Sequence, residues 1–106
     1  MEDAPEKPNP KGFINLSKKL LGDKLGASNI PIAYVGDTIA DINTVVNARK
    51  EIPSQKFISI GIAPPHLHLK SRLKERIAYE RNLQKVGADH ILSSINDLKN
   101  INLELF

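Results

Sequence analysis

Two aspartates four residues apart, Asp37 and Asp41, are the side chains of this sequence best suited to chemistry. Asp37 follows the apolar run 30–35 and Gly36, so we expect it beyond the carboxyl end of a buried strand, where open parallel sheets bind ligands. The spacing puts both carboxylates on one side of a starting helix. Because Mg²⁺ takes one or two protein carboxylates and keeps several waters, the pair predicts a magnesium site. The alternative is structural, with Asp37 in a turn and Asp41 capping a helix with Thr38.

A lysine between prolines precedes the first predicted helix. Lys7 stands in the segment Lys-Pro-Asn-Pro, directly before the helix that leads to the Asp37 strand. Prolines restrict the backbone around this cation, which is therefore well placed to meet a phosphate group. The alternative is an ordinary exposed lysine in a proline-rich segment.

Two histidines, His66 and His68, lie in the loop Ala-Pro-Pro-His-Leu-His after the second predicted strand. The adjacent prolines exclude regular structure there, because both lack an amide hydrogen. The histidines are candidates for a substrate-contacting loop at the same sheet edge as Asp37. As a metal pair they lack an evident third ligand, and packing within the loop is the alternative.

Alternating apolar patterns predict the elements that must position these residues. The predicted order is helix, strand, helix, strand, helix, strand, helix, over 10–21, 30–35, 39–50, 57–62, 70–85, 90–92 and 94–105. Such alternation indicates an α/β fold with a parallel sheet and right-handed crossovers. The apolar faces of the first three helices should supply the core. They are Phe13, Leu16, Leu20 and Leu21; Ile39, Ile42, Val45 and Val46; and Tyr79, Leu83 and Val86.

Composition excludes several classes of protein. With 106 residues, 41% hydrophobic and 25% charged, the chain is an ordinary globular domain and not a disordered or fibrous one. The apolar runs are too short to span a bilayer, and the acidic, proline-rich start does not read as a signal peptide. Cysteine is absent, which excludes disulfides and thiolate zinc sites. We therefore expect a cytoplasmic protein without a membrane partner.

The charge of the chain does not indicate nucleic-acid binding. The net charge is only +3, and the basic segment 70–85 has six Lys or Arg against two Glu, with Tyr79 as its single aromatic residue. A nucleic-acid interface would have more aromatic residues interleaved with the cations. We interpret the segment as a solvated helix face, which could also steer an anionic substrate.

Three segments together resemble the C-terminal half of the haloacid dehalogenase (HAD) superfamily. Lys-Pro-x-Pro at Lys7, followed by a helix, is similar to the third motif of that superfamily. Residues 34–41, Tyr-Val-Gly-Asp-Thr-Ile-Ala-Asp, resemble its fourth, and Val-Gly-Ala-Asp at 86–89 is frequent near the end of such proteins. The thirty residues from Lys7 to Asp37 fit subfamily IA, the phosphoglycolate-phosphatase-like branch.

The resemblance implies a fold and a partial domain. The fold would be three-layered α/β, a Rossmann-like HAD core, represented by its C-terminal half with about three parallel strands and flanking helices. Residues 1–106 would form a single partial core domain. Within it, 1–9 would be a loop carrying the Lys-Pro-x-Pro motif, and 10–106 would alternate between helix and strand.

The resemblance also implies a function with roles for particular residues. The reaction would be Mg²⁺-dependent hydrolysis of a phosphate monoester of a small metabolite, through an aspartyl-phosphate. Lys7 would be catalytic and neutralise the phosphoryl group, while Asp37 would bind Mg²⁺ directly. Asp41 would support the metal through water or orient Lys7, and Gly36 and Thr38 would support the loop.

The sequence departs from the family in lacking the nucleophile. HAD phosphatases carry it in an Asp-x-Asp motif, and no two aspartates here are separated by one residue. We therefore expect the chain alone to be an inactive part of a phosphatase, whose open sheet edge at 32–35 pairs with the missing N-terminal half or with a second copy. The alternatives are a non-catalytic α/β interaction module, one half of a split enzyme and, less well supported, a receiver-like domain.

Overall fold

A computed structural model describes residues 9–27 and 29–93 of the chain. The described helices are α1 (Lys11–Leu21), α2 (Ile39–Glu51) and α3 (Leu73–Lys85), and the strands are β1 (Ile32–Gly36), β2 (Phe57–Ile62) and β3 (His90–Leu92). Short 3₁₀ turns cover Gly22–Lys24, Pro65–His68 and Lys70–Arg72. Lys7 and the predicted last helix at 94–105 lie outside the described residues.

The three strands form one parallel sheet in the order β1-β2-β3. Ile32 lies opposite Phe57, Gly36 lies opposite Gly61, and Ile60 lies opposite His90. The carboxyl ends of β1 and β2 therefore meet at the same edge of the sheet. This arrangement confirms the predicted α/β class with a parallel sheet and flanking helices.

The helices pack on one face of this sheet. Phe57 contacts α1 and α2 in a cluster that also holds Ile14 and Val45. Gly61, which has the same parity along β2, lies against Leu83 of α3. Alternate residues of a strand point to opposite faces, so all three helices share the Phe57 face. The described residues thus give two layers, and the third layer of the predicted three-layer fold remains untested.

The apolar face predicted for α1 is wrong at two positions. Leu16 and Leu20 are 55% and 68% exposed, whereas Ile14 and Ser17 are buried. Ile14, Ser17 and Leu21 follow an equally helical spacing, and this is the stripe that faces the core. The Ser17 hydroxyl can be buried because it donates to the Phe13 carbonyl at 2.9 Å.

The other helices follow the predicted pattern more closely. Leu83 is completely buried in a cluster with Ile42, and Tyr79 packs against the same cluster. Ile39, predicted to face the core from α2, is instead 46% exposed. The α-helix α3 begins at Leu73, three residues later than expected, because a separate 3₁₀ turn precedes it.

Candidate functional site

Asp37 lies directly beyond the carboxyl end of β1, as predicted from the apolar run that precedes it. Its backbone N–H and its backbone C=O each make a hydrogen bond to a side chain. Its backbone amide donates to Asp41 Oδ2 at 3.2 Å, and its carbonyl accepts a hydrogen bond from the Tyr79 hydroxyl. Its partly buried carboxylate accepts no hydrogen bond from residues 9–27 and 29–93. The backbone of Asp37 is therefore held in place, whereas no described residue binds its carboxylate.

Asp41 organises the loop that carries Asp37. Its side chain is only 3% exposed. Oδ2 accepts from the amide of Asp37, from the amide of Thr38 at 3.2 Å and from the Thr38 hydroxyl at 2.9 Å. Oδ1 accepts from the Tyr34 hydroxyl at 3.0 Å. A metal ion bound directly by Asp41 would compete with these four donors, so its predicted indirect role fits the geometry better.

Thr38 and Asp41 also form the predicted capping box. Thr38 is the N-cap of α2, and its hydroxyl accepts the Asp41 amide at 3.1 Å. The Asp41 carboxylate in turn accepts the Thr38 amide. This reciprocal pair satisfies two amides that a helix start would leave without partners. The structural alternative raised from the sequence is therefore present, and it does not involve the Asp37 carboxylate.

Position 36 has room only for glycine, because the Asp41 side chain lies against it. A Cβ at this position would collide with the Asp41 Cβ, and it would lie 2.8 Å from Asp41 Cγ and 2.9 Å from Oδ2. Its φ is not positive, so the left-handed region is not the reason for glycine. The absence of a side chain lets Asp41 lie against the strand end and reach the amide of Asp37.

Two tyrosine hydroxyls contribute to this site, and the sequence did not predict their roles. The sequence predicts Tyr79 as a core residue, and Tyr34 as part of a strand and of the motif at 34–41. In the structure their hydroxyls donate to the Asp37 carbonyl and to Asp41. The Tyr34 ring also packs edge-on against Phe13, with centroids 5.0 Å apart. The available signal was a tyrosine where phenylalanine would suffice, since a buried phenol usually has a hydrogen-bond partner.

The Tyr79 hydroxyl should make the free energy of unfolding depend on pH above about pH 10. Burial, and then the negative charges of Asp37 and Asp41, raise the pKa of Tyr79 above its ordinary value of 10.0. As the pH rises past 10, the unfolded chain therefore loses this proton before the native chain does, and the free energy of unfolding falls. Below pH 10 this contribution is constant.

Absorbance titration can measure this effect, because the chain has only two tyrosines. In Tyr34→Phe the single remaining phenol is Tyr79, and its midpoint should lie above pH 10. Urea unfolding between pH 9 and 11 should show the corresponding loss of stability in Tyr34→Phe and not in the double variant Tyr34→Phe/Tyr79→Phe. A titration midpoint at or below pH 10 would contradict a partly buried, hydrogen-bonded Tyr79 phenol.

His66 and His68 lie in the 3₁₀ turn after β2, at the same sheet edge as Asp37. The Nε2 atom of His68 is 2.7 Å from the Ala63 carbonyl, and since a carbonyl can only accept, this nitrogen must carry the proton. Leu67 between the histidines is buried. His68 therefore holds the loop, which is the packing role foreseen for it, while His66 is exposed and its substrate contact stays a prediction.

The residues present can supply part of a Mg²⁺ site. In the part of the chain that the structure describes, no group of three or more His, Asp or Glu side chains comes together. Mg²⁺ keeps several waters and uses one or two protein carboxylates. The Asp37 carboxylate fits one such position, and waters can fill the others; a second protein carboxylate, if one is used, would come from outside the described residues. Lys7, the predicted catalytic cation, lies outside them.

Asp89, in the Gly-Ala-Asp segment, serves the sheet and not this site. Its carboxylate accepts the Ser59 amide at 2.8 Å and pairs with Arg49, while its amide donates to the Ser59 carbonyl. Arg49 also donates to the Phe57 carbonyl at 2.9 Å. These contacts tie the start of β3 to β2. A cavity of about 270 Å³ lies beside them, at the amino end of the sheet and away from Asp37.

Comparison of the chain with protein-family models, with curated proteins and with solved structures gave no match. None of the helices in the described part of the chain is both long and apolar enough to cross a bilayer. A functional assignment therefore depends on the geometry of the Asp37 site and on the motifs of the sequence.

Proposed function

We propose that the chain is the C-terminal half of a Mg²⁺-dependent phosphate monoester hydrolase of the HAD type, acting on a small phosphorylated metabolite. The observation that carries this proposal is Asp37 itself. Its peptide is held on both sides, by Asp41 and Tyr79, and its carboxylate stands without a partner from the described residues at the carboxyl edge of a parallel sheet. A ligand position held in advance in this way is what tight and oriented metal binding needs.

The proposal assigns a separate role to each of a few residues. Asp37 would hold Mg²⁺, which supplies positive charge to the phosphoryl group when bound. Gly36, Thr38 and Asp41 hold the Asp37 loop by the contacts given above. Lys7 would add a second positive charge to the phosphoryl group. The nucleophilic aspartate, which forms the aspartyl-phosphate, would come from a complementary segment with an Asp-x-Asp motif.

The edge of the sheet supports the assignment to half of a larger core. Among the described strands, β1 pairs only with β2. Strands of parallel sheets are normally covered on both faces, and a strand edge without a partner can pair with another strand. Leu16 and Leu20 of α1, the helix that leads to β1, are exposed, as is Ile30 just before the strand. A complementary half that adds a strand beside β1 would cover such a surface.

The edge of β1 that pairs with no other described strand also favours a second candidate, a non-catalytic α/β module that acts by association. An exposed strand edge pairs readily with another chain, whatever its chemistry. The two candidates differ in what they require of Asp37. A phosphatase half needs its carboxylate for Mg²⁺, whereas an interaction module does not.

Phosphate release tests the proposed function. We expect the 106-residue chain alone to release no phosphate from p-nitrophenyl phosphate, because it has no Asp-x-Asp nucleophile. The coding DNA upstream of the Met1 codon should lead in frame to such a segment, or a separate gene should encode one. Joined or co-expressed with it, the chain should become active only when MgCl₂ is present.

The variants of this experiment test the site. Asp37→Asn should abolish the activity of the joined protein, and Asp23→Asn, at an exposed aspartate in the turn after α1, should preserve it. Mg²⁺-dependent hydrolysis by the 106-residue chain alone, lost in Asp37→Asn, would contradict its assignment as a half. Full activity of the joined Asp37→Asn variant would contradict the role of Asp37.

A further inference from the structure

The peptide of Asp37 is held from two helices that are distant in sequence. Its amide donates to Asp41 on α2, four residues away, and its carbonyl accepts from Tyr79 on α3, 42 residues away. The first contact belongs to the local capping arrangement of α2. The hydrogen bond from Tyr79 is not part of a helix cap, and it joins α3 to the loop that follows β1.

Tyr79 can hold this carbonyl because α3 is firmly anchored at this level. Leu83, one turn further along α3, is completely buried in a cluster with Ile42 of α2 and Ala88. The Tyr79 ring packs against the same cluster. Packing of this kind restricts the ring to few rotamers, so the hydroxyl is delivered to a fixed place.

We propose that Tyr79 is the positioning residue of Asp37, and that its hydroxyl sets the direction in which the Asp37 carboxylate meets a metal ion. This inference rests on the proposed function, in which Asp37 binds Mg²⁺. The direction of a side chain depends on the orientation of the backbone to which it is attached. A backbone that could tilt at Asp37 would therefore present the carboxylate over a range of directions. Groups that orient a metal ligand through a hydrogen bond commonly change metal affinity 10–100-fold when removed.

The competing interpretation is that Tyr79 only satisfies a partly buried carbonyl and stabilises the fold. A matched variant separates the two. Thr44 also donates its hydroxyl to a backbone carbonyl, that of Ala40, at 2.8 Å. It is buried, whereas Tyr79 is partly buried, and it has no bond to Asp37. Tyr79→Phe and Thr44→Val each remove one such hydroxyl and keep a side chain of nearly the same shape.

The experiment is a titration of the isotopically labelled full chain with MgCl₂ alone, followed by NMR at 25 °C. We expect Tyr79→Phe to bind Mg²⁺ about tenfold more weakly than wild type. Its Asp37 carbonyl carbon should also shift on loss of the hydrogen bond. Thr44→Val should lose stability but keep the wild-type affinity, and Asp37→Asn should lose binding.

The outcomes distinguish the two proposals. Wild-type affinity in Tyr79→Phe, with binding lost in Asp37→Asn, overturns the role of Tyr79 and leaves the proposed function standing. No binding by wild type, or equal binding by Asp37→Asn, overturns the proposed function and this inference with it.

A second measurement uses only the wild-type chain and therefore does not depend on whether a variant folds. The three-bond couplings of Asp37 should report one χ1 rotamer before Mg²⁺ is added, and averaged couplings would overturn the positioning role.

Discussion

Alanine in place of Gly36 is expected to lower the free energy of unfolding by about 3 kcal/mol, a large fraction of the stability of a small domain. The new Cβ would collide with the Asp41 Cβ and lie 2.8 Å from its Cγ. Asp41 has little room to retreat, because its carboxylate is held by the amides of Asp37 and Thr38 and by two hydroxyls. Relief of the collision would break these bonds or move the end of β1.

The matched control is Gly12→Ala. Gly12 lies in the first turn of α1, and a Cβ there would meet no atom within 4 Å beyond its chain neighbours and the backbone of its own helix. Alanine is the better helix former, so this change should raise stability by about 0.5–1 kcal/mol. Urea unfolding followed by circular dichroism measures both variants. Equal stability of Gly36→Ala and wild type would mean that Asp41 is not fixed against the strand.

The local parts of the fold and site could be predicted from the sequence. The strand before Asp37, the Thr38–Asp41 capping box and the parallel α/β order all depend on neighbouring residues, and the structure has each of them. The resemblance also implies that Gly36 supports the Asp37 loop, but it gives no physical reason for a glycine there. The structure gives one, which is the space that the Asp41 side chain occupies.

The parts that could not be predicted depend on contacts between distant residues. The Tyr79 hydroxyl meets a carbonyl 42 residues away, and no local pattern reports such a bond. The choice between two helical stripes of α1 is similar. Leu16 and Leu20 are the more apolar pair, yet Ile14 and Ser17 are buried, because the position of α1 against α2 and the sheet decides which side turns inward.

Replacing Asp37 with asparagine should remove Mg²⁺ binding without damaging the fold. The carboxylate takes no hydrogen bond from the described residues, so its loss breaks none of the bonds that hold the loop. Asparagine has almost the same shape, and stability should change by less than about 0.5 kcal/mol. The negative charge is lost, however, and proteins hold Mg²⁺ through one or two carboxylates. We expect no detectable binding.

The most direct test of the Asp37 site is an NMR titration of the ¹⁵N-labelled chain with MgCl₂, comparing wild type, Asp37→Asn and the surface control Asp23→Asn. Saturable shifts of the amides from 36 to 41 are expected in wild type and in Asp23→Asn, and none in Asp37→Asn. Equal shifts in all three proteins, or shifts confined to other surfaces, would contradict a magnesium site at Asp37.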